Sequence, residues 1–266
     1  MSNPAISETD LLMITLDALR LDVAQQAWRD GQTPFLKSLI ADGWEARHSP
    51  GSFTYAAHAA FFAGFWPTPL APGHHPRPFA LRFAGSHSIT RATCVLEGDN
   101  IVTGLKHRGY HTVCIGGVGY FNKLNPLGCV FPSLFDVSEW QAEFAVSEVH
   151  STREQVRQAV KSIAAAPAEK PMFLFVNVSA THSPTHFYLK GARIDSPETQ
   201  AAALAYVDRQ LPPLFEALRD RRRGGRAYLM SDHGTLFGDD GYTGHRVGHP
   251  TVWTVPYAEF TWDPLP

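Results

Sequence analysis

Residues 231–249, SDHGTLFGDDGYTGHRVGH, place three histidines and three aspartates among five glycines. An apolar run, RAYLM, leads into Asp232 and His233 at the start of this stretch. Carboxylate oxygens suit hard divalent cations, and an added imidazole shifts the preference toward zinc, manganese or iron. The stretch therefore indicates either a polar, glycine-rich loop or a metal site whose remaining ligands lie elsewhere in the chain.

Partners for Asp232 and His233 are expected at the ends of other apolar runs. Asp17 closes the run LLMITLD, and Asn177 opens a polar stretch at the end of PMFLFVNVS. Ligands of parallel sheets bind outside the carboxyl ends of the strands, so these ends are expected to meet at one edge. For Asp17 alone, capping of a helix that begins at residue 18 is an alternative. Three polar ends at one edge favour the metal site.

A nucleophile is indicated in SFTYAAHAAFFAGF, where Thr54 precedes an alanine-rich segment typical of a buried helix. Its hydroxyl would lie at the positive end of the helix dipole, where free N–H groups can hold an anion. A nearby metal would lower the hydroxyl pKa and create a nucleophile. A role as helix N-cap is the alternative, and the two roles are compatible. His58, one turn later, either holds the threonine or the substrate, or is a buried histidine with satisfied hydrogen bonds.

The elements that must position these residues follow from the hydrophobic pattern. Strands are predicted at 11–17, 110–117, 171–179, 226–232 and 252–262. Helices are predicted at 34–43, 55–65, 100–109, 151–167, and from 196 onward with a kink at Pro212-Pro213. Ser151 and Glu154 fit a capping box. The alternation predicts an α/β fold with a central, mainly parallel sheet and helices on both faces. The proline-rich segment 66–98 is expected to be a covering loop.

Bulk composition limits the classes of partner. The 266 residues carry a formal net charge of −2, and 44% of them are hydrophobic. Nucleic-acid binding is not expected without a basic excess. No apolar stretch approaches the ~18 residues of a membrane span, and the N-terminus does not resemble a signal peptide, so a cytoplasmic protein without membrane contact is expected. Three cysteines are too few for a disulfide framework.

Several segments, in this order, resemble the alkaline phosphatase/sulfatase superfamily: ITLDALRLD, SFTYAAHAAFFAGFWP, NVSATHSPTHF, ALAYVDRQL, SDHGTLFGDDGYTGH and VPYAEF. The resemblance covers nearly the whole chain and is greatest to short bacterial sulfatase-like hydrolases of unassigned substrate. It implies one alkaline-phosphatase-like catalytic domain over 1–266, with a metal site at the carboxyl edge of its sheet. By this resemblance, Asp17, Asp232 and His233 are metal ligands, and Thr54 occupies the nucleophile position beside the metal.

Departures from the sulfatase pattern change the expected reaction. The sulfatase segment Cys-x-Pro-x-Arg, whose cysteine is modified, reads here as Thr-Tyr-Ala-Ala-His at 54–58. The stretch GGVGYFN (116–122) lacks the lysine and histidine that hold a sulfate in those relatives. The resemblance therefore implies a hydrolase or transferase of phosphate or phosphonate esters. The alternatives are a sulfate-ester hydrolase without the modified cysteine and a non-catalytic family member that binds a metal or ligand.

Further histidines leave the number of metals open. His182 matches a histidine that faces the substrate or leaving group, and His245 matches a metal-binding histidine of two-metal members. One or two divalent ions are expected, zinc or manganese by preference, with His182, His186 and His245 as candidates for the second and His249 in reserve. The expected catalytic set is Thr54, His182 and His58. Arg20 and Asp22 are expected to support Asp17 from outside the site.

The remaining expectations concern the walls of the pocket. Many relatives carry a C-terminal subdomain that is missing here, so segment 66–98, segment 118–150 or a second subunit in a homo-oligomer would complete the pocket. His74, His75, Arg77 and Arg82 could contact the substrate, expected to be a small anionic ester, or be ordinary loop residues.

Overall fold

The strand β1 (Asp10–Leu16) lies at the middle of the main sheet. The computed structural model describes residues 9–64 and 100–264. The other strands are β2 (Glu45–His48), β3 (His111–Ile115), β4 (Val137–Glu139), β5 (Met172–Val178), β6 (Gly225–Met230), β7 (Leu236–Phe237), β8 (Thr243–Gly244) and β9 (Thr254–Trp262). The main sheet has the order β2-β9-β6-β1-β5-β3-β4, and β7 pairs with β8 separately.

All pairings among β1, β3, β4, β5 and β6 are parallel. Only β9 runs against its neighbours β6 and β2. The carboxyl ends of the five parallel strands therefore face the same edge of the sheet, as the alternating pattern of the sequence predicts. The helices are α1 (Leu21–Arg29), α2 (Pro34–Leu39), α3 (Thr54–Ala63), α4 (Ile101–His107), α5 (Pro126–Cys129), α6 (Ser151–Ala165), α7 (Pro197–Gln210), α8 (Pro212–Asp220) and α9 (Pro250–Trp253).

Side-chain alternation along β1 and β5 divides the interior into two cores. On one face, Leu12, Ile14 and Leu16 of β1 pack with α1, α2, α6, α7 and α8. On the other face, Phe173 and Phe175 of β5 pack with α3 and α4 in a core rich in phenylalanine. Burying a leucine, isoleucine or phenylalanine side chain contributes about 1.5–3 kcal/mol, so packing on both faces stabilises the sheet.

Helices on both faces confirm the predicted fold class. Within the described ranges, no helix is long and apolar enough to cross a membrane. The predicted covering loop 66–98, with His74, His75, Arg77 and Arg82, lies outside the described residues.

Two local predictions for the helices differ from the structure. Ser151 is the first residue of α6, the N-cap is His150, and no side chain caps this helix. The predicted capping box with Glu154 is therefore wrong. The box forms instead at α7, where Ser196 and Thr199 exchange hydrogen bonds between side chain and backbone. The prolines at 212 and 213 begin the separate helix α8, since proline cannot continue the hydrogen bonding of α7.

Candidate functional site

The ends of β1 and β6 bring Asp17 and Asp232 together. Thr15 of β1 pairs with Met230 of β6, so each aspartate follows its strand by one or two residues at the same edge. The chain then turns at Ala18, which has a left-handed φ of 60°. This conformation costs an alanine about 1–2 kcal/mol, and here it directs the Ala18 N–H to Asp232 Oδ1 at 3.1 Å. A strained turn thus joins the two carboxylates.

Three lone pairs converge at this edge. His233 donates Nδ1–H to the carbonyl of Gly234 at 2.9 Å, which leaves its Nε2 as an acceptor. That Nε2 lies 3.5 Å from Asp232 Oδ2 and 3.9 Å from Asp17 Oδ1. All three side chains are fully buried, and neither of these carboxylate oxygens has a hydrogen-bond partner. Buried acceptors that face one another without a proton or cation between them are unfavourable.

A divalent cation fits this donor set. Within residues 9–64 and 100–264, Asp17, Asp232 and His233 form the group whose ligand atoms lie within 4.8 Å of one another. Two carboxylates and one imidazole are ligands that zinc and manganese accept. The unpartnered oxygens and the free Nε2 are the atoms that such an ion would use. Whether these residues hold a metal stays a prediction that the geometry supports.

The electrostatics of the trio follow from its burial. Burial, followed by the charge of Asp232, raises the pKa of Asp17 to about 6. Burial likewise raises the pKa of Asp232 to about 6, against the effect of the N–H groups that it accepts. Burial also lowers the pKa of His233 and favours the neutral ring that can bind a metal. Each carboxylate is therefore poorly compensated for its charge by the protein alone.

Thr54 lies beside these ligands. Its hydroxyl donates to Asp17 Oδ2 at 3.4 Å, and its Oγ1 lies 3.3 Å from His233 Nε2. Thr54 is the first residue of α3 and Phe53 is the N-cap, so the alternative of a capping threonine is wrong. Capping by Asp17 is wrong too, because α1 begins only at Leu21. Helix capping therefore accounts for the position of neither Thr54 nor Asp17.

His58 lies beneath Thr54 and faces the core. Its Nδ1 donates to the Thr54 carbonyl at 2.8 Å, and its Nε2 is 3.0 Å from Thr15 Oγ1. The ring packs against Phe121 and Phe175 with centroid distances of 5.1 and 5.6 Å. Burial lowers the pKa of His58 to about 3, which keeps the ring neutral. With both nitrogens engaged, His58 is placed to hold Thr54 rather than to contact a substrate.

Two of the other predicted histidines approach the trio. The His245 ring lies 4.5 Å from that of His233 and 5.7 Å from that of His182, centroid to centroid. Burial, together with the neighbouring His233, lowers the pKa of His245 to about 3. His182 and His245 are half-buried and border the open side of the site. A second metal or a substrate oxygen would meet them there.

His186 and His249 have other partners. His186 Nδ1 is 3.1 Å from Asp195 Oδ1, and no contact joins it to the trio among the described residues. His249 accepts the Thr251 N–H at the start of α9, and its Nε2 lies 3.1 Å from Asp240. The structure therefore does not bring these two histidines to the trio, and a metal role for His186 stays a prediction.

Arg20 supports the surroundings of the site and not Asp17 itself. Its guanidinium binds Asp22 through two hydrogen bonds and Asp239 through a third at 2.9 Å. It therefore fixes the segment after β7 to the start of α1. Its expected contact with Asp17 is absent among the described residues.

Arg246 was not singled out from the sequence, although it follows His245 directly. Its backbone is left-handed, with φ 69°, and its N–H donates to the Ser52 carbonyl at 2.8 Å. The exposed guanidinium lies 5.7 Å from the ring centre of Phe53, next to Thr54. Its positive charge contributes to the lowered pKa of both His233 and His245. Arg246 thus presents a cation at the open side of the site.

Comparisons with known proteins agree with this fold. A family model described as sulfatase matches residues 10–257. The chain is similar to the C-terminal periplasmic domain of phosphoethanolamine transferase EptC from Campylobacter jejuni, with TM-score 0.64 and 13% identity, covering 96% of this chain and 80% of that one. The corresponding domain from Escherichia coli, in complex with zinc, gives 0.65 and 13%, covering 98% and 74%. No curated protein matches the chain.

A protein of the alkaline phosphatase superfamily from Vibrio parahaemolyticus is similar as well, with TM-score 0.57 and 18% identity, covering 97% of this chain and 60% of that one. At these identities the structures establish a shared fold and not a shared activity. The two EptC structures are described as periplasmic domains, so the predicted cytoplasmic location is not confirmed.

Proposed function

This chain belongs to the sulfatase family, and from that membership we propose that it is a metal-dependent enzyme that hydrolyses or transfers phosphate or phosphonate esters, with Thr54 as its nucleophile. One observation carries the proposal: the buried Thr54 hydroxyl lies 3.4 Å from Asp17 Oδ2 and 3.3 Å from His233 Nε2. The resemblance to the alkaline phosphatase/sulfatase superfamily agrees with this chemistry, since its members act on phosphoesters or sulfate esters.

The reacting residues divide into a nucleophile and its supports. Asp17, Asp232 and His233 would hold the cation, which would supply Lewis acidity to a substrate oxygen and lower the pKa of the Thr54 hydroxyl. Thr54 Oγ1 forms a bond to phosphorus as the bond from phosphorus to the leaving oxygen breaks. The hydroxyl proton is directed at Asp17 Oδ2, through which it can leave. His58 takes no part in these bonds. It donates Nδ1–H to the Thr54 carbonyl and so fixes the backbone of the threonine.

The open side of the site completes the reaction. Arg246 is placed to bind non-bridging oxygens of the anionic group by charge-assisted hydrogen bonds. His182 is placed to give a proton to the leaving oxygen, and His245 to orient the transferred group or to hold a second metal. Water or an alcohol then gives its proton to His182 and attacks phosphorus, while the bond from phosphorus to Thr54 Oγ1 breaks and Thr54 recovers its proton through Asp17. The acceptor decides between hydrolysis and transfer, and the EptC proteins of similar fold are named as transferases.

Trapping the phosphorylated enzyme tests the nucleophile. Metal-loaded protein is incubated with 4-nitrophenyl phosphate and quenched in acid, and its peptides are sequenced by mass spectrometry. A phosphoryl group on Thr54 is expected in the wild type and absent from Thr54→Ala, while Thr54→Ser retains partial turnover. Wild-type turnover by metal-replete Thr54→Ala would disprove the assignment.

Sulfate-ester hydrolysis is the second candidate, because the matching family model is described as sulfatase. Position 54 lacks the cysteine that the modified-cysteine mechanism needs, which supports phosphorus chemistry instead. Parallel assays on nitrophenyl phosphate, a phosphodiester and nitrophenyl sulfate separate the two. Activity on none of these esters by metal-loaded protein would instead support the non-catalytic alternative.

A further inference from the structure

Asn177 contacts Asp17 directly and is connected to Thr54 through Thr15 and His58. The proposal above gives it no role. It is the penultimate residue of β5, and it is fully buried. Its Nδ2 donates to Asp17 Oδ2 at 3.1 Å and to Thr15 Oγ1 at 3.2 Å. Its Oδ1 accepts the Val118 N–H at 2.9 Å. One hydrogen of the amide therefore points at a member of the metal trio, and the other points at Thr15, whose hydroxyl contacts His58.

The orientation of this amide is determined by its partners. A backbone N–H can only donate, so the atom facing Val118 must be the amide oxygen. The atom facing Asp17 must then be the nitrogen, with two N–H groups for two acceptors. The bond to Asp17 engages Oδ2 and leaves Oδ1 as the unpartnered oxygen that faces the trio. Asn177 and the Thr54 hydroxyl thus both bind Oδ2, and the Asn177 bond is the shorter of the two.

The backbone of Asn177 is fixed from the opposite side. Gln155 Nε2 donates to the Asn177 carbonyl at 2.6 Å and to the Gly116 carbonyl at 2.9 Å. The loop after β3 crosses so closely that a Cβ on Gly117 would stand 2.1 Å from the Asn177 carbonyl oxygen. A shift of Asn177 would therefore press against the loop that follows β3, so the backbone of Asn177 is a rigid support.

Asn177 thus starts a network with two arms, of which the hydrogen bond to Asp17 is the first. The second arm leads through Thr15 and His58 to the nucleophile Thr54. Asn177 donates to Thr15 Oγ1, and the Thr15 hydroxyl is then free to donate to His58 Nε2 at 3.0 Å. His58 in turn donates Nδ1–H to the Thr54 carbonyl. One consistent set of donors and acceptors connects Asn177 to the backbone of Thr54. Asn177, Thr15 and His58 are all fully buried, so no water competes for these bonds.

We propose that Asn177 is a positioning residue that orients the Asp17 carboxylate toward the metal through one N–H and steadies Thr54 through Thr15 and His58 with the other. The inference rests on the proposed metal site and extends it. Partners that orient a ligand in this way typically raise metal affinity by roughly 10- to 100-fold. The two arms make separable predictions, one for metal binding and one for turnover.

The variant Asn177→Asp tests the arm to Asp17. Aspartate has the shape of asparagine and keeps an oxygen for the Val118 N–H, so the packing and the backbone contact of residue 177 are retained. It removes the N–H that holds Asp17 and opposes one carboxylate with another. Titration of metal-free protein with Zn²⁺ in competition with a chelating dye is expected to give roughly 10-fold or greater loss of affinity. Asn100→Asp, at the N-cap of α4, is the control for the added charge and is expected to bind like the wild type.

The variant Thr15→Val tests the other arm. It breaks the connection to His58 but leaves the bond from Asn177 to Asp17, so kcat is expected to fall several-fold with zinc affinity retained. Zinc affinity of Asn177→Asp equal to or tighter than that of the wild type would overturn the inference. A wild type that binds zinc without turning over any ester would contradict only the proposed activity. A wild type that binds no divalent metal would overturn both.

Discussion

Strand β1 has a buried aspartate at each end, and the two carboxylates differ in their hydrogen-bond partners. Asp10, at the amino end, accepts the Met172 N–H at 2.8 Å on one oxygen and the Arg221 guanidinium at 2.8 Å on the other. Asp17, just beyond the carboxyl end, has one oxygen bonded and the other without a partner. Both side chains are fully buried. The protein compensates the charge of Asp10 itself and leaves that of Asp17 uncompensated.

This difference separates a structural carboxylate, Asp10, from a proposed metal ligand, Asp17. A buried carboxylate is tolerated when it is paired and fully hydrogen-bonded, as at Asp10. Burial without such compensation raises the pKa of Asp17 to about 6, and the neighbouring Asp232 adds to the effect. The amino edge of the sheet thus contributes to the stability of the chain alone, whereas at the carboxyl edge the proposed cation would compensate the unpartnered carboxylate oxygens.

The largest expected effect is the loss of turnover in Asp17→Ala. Removal of this proposed metal ligand beside Thr54 is expected to lower kcat/KM by at least about 10³-fold, or about 4 kcal/mol of transition-state stabilisation. Circular dichroism of the variant should match the wild type, because Asp17 supports the site and not the core. Asp17→Ala with near-normal kcat/KM in metal-replete buffer would remove the distinction between the two aspartates.

Asp10→Ala is expected to damage the fold instead. It leaves the Arg221 guanidinium, only 6% exposed, without its carboxylate. An uncompensated buried charge costs about 3–5 kcal/mol of unfolding free energy, measurable by urea denaturation. The double variant Asp10→Ala/Arg221→Met should recover part of this loss. A single variant as stable as the wild type would show that the pair does not anchor this edge.

The pH dependence of stability sharpens the comparison at Asp17. A raised carboxyl pKa gives stability that is present below the unfolded-state pKa and lost as pH rises through about 6. Metal-free Asp17→Asn should therefore gain stability over the wild type between pH 4 and pH 7.5, on the order of 3 kcal/mol. The buried histidines change stability with pH in the opposite direction, but both proteins contain them. Their contribution therefore cancels in the difference between the two free energies of unfolding. A difference in unfolding free energy that does not change with pH would contradict the raised pKa of Asp17.

Arg246→Ala is expected to have the smallest effect. Loss of one charge-assisted contact should raise KM for a phosphate ester about tenfold and leave zinc affinity unchanged. Arg222, exposed and also left-handed with φ 55°, is the matched control at the amino side of β6. Arg222→Ala should retain the KM of the wild type. Equal KM values for the two variants would exclude Arg246 from substrate binding.

The sequence predicts the framework of the site better than its details. Apolar strands followed by Asp17 and Asp232 predict where two carboxylates meet, because parallel strands impose that geometry. Thr54 and His233 follow from their positions and from the family resemblance, and the structure brings all four together. Short or weakly apolar elements were missed, among them β2, with every residue exposed, and the three-residue β4.

Roles that depend on individual atoms could not be read from residue types. Asn177 and Asn100 are both asparagines, but Asn177 contacts Asp17 and Asn100 caps a helix. The tertiary structure alone distinguishes the two roles. His58 was predicted as a catalytic residue and His186 as a metal ligand, but their nitrogens contact Thr54 and Asp195. Arg246 reaches the site through a left-handed turn that its neighbours in sequence do not reveal.

The most direct test of the central claim is calorimetric titration of chelator-treated protein with Zn²⁺ and Mn²⁺. The wild type should bind one or two equivalents and unfold at a higher temperature when loaded, because binding to the folded state alone stabilises it. Asp17→Asn should lose the tight equivalent, and Asp10→Asn should retain it in the fraction that folds. Absence of binding by the wild type, or equal binding by Asp17→Asn, would contradict the assignment of Asp17, Asp232 and His233 as a metal site.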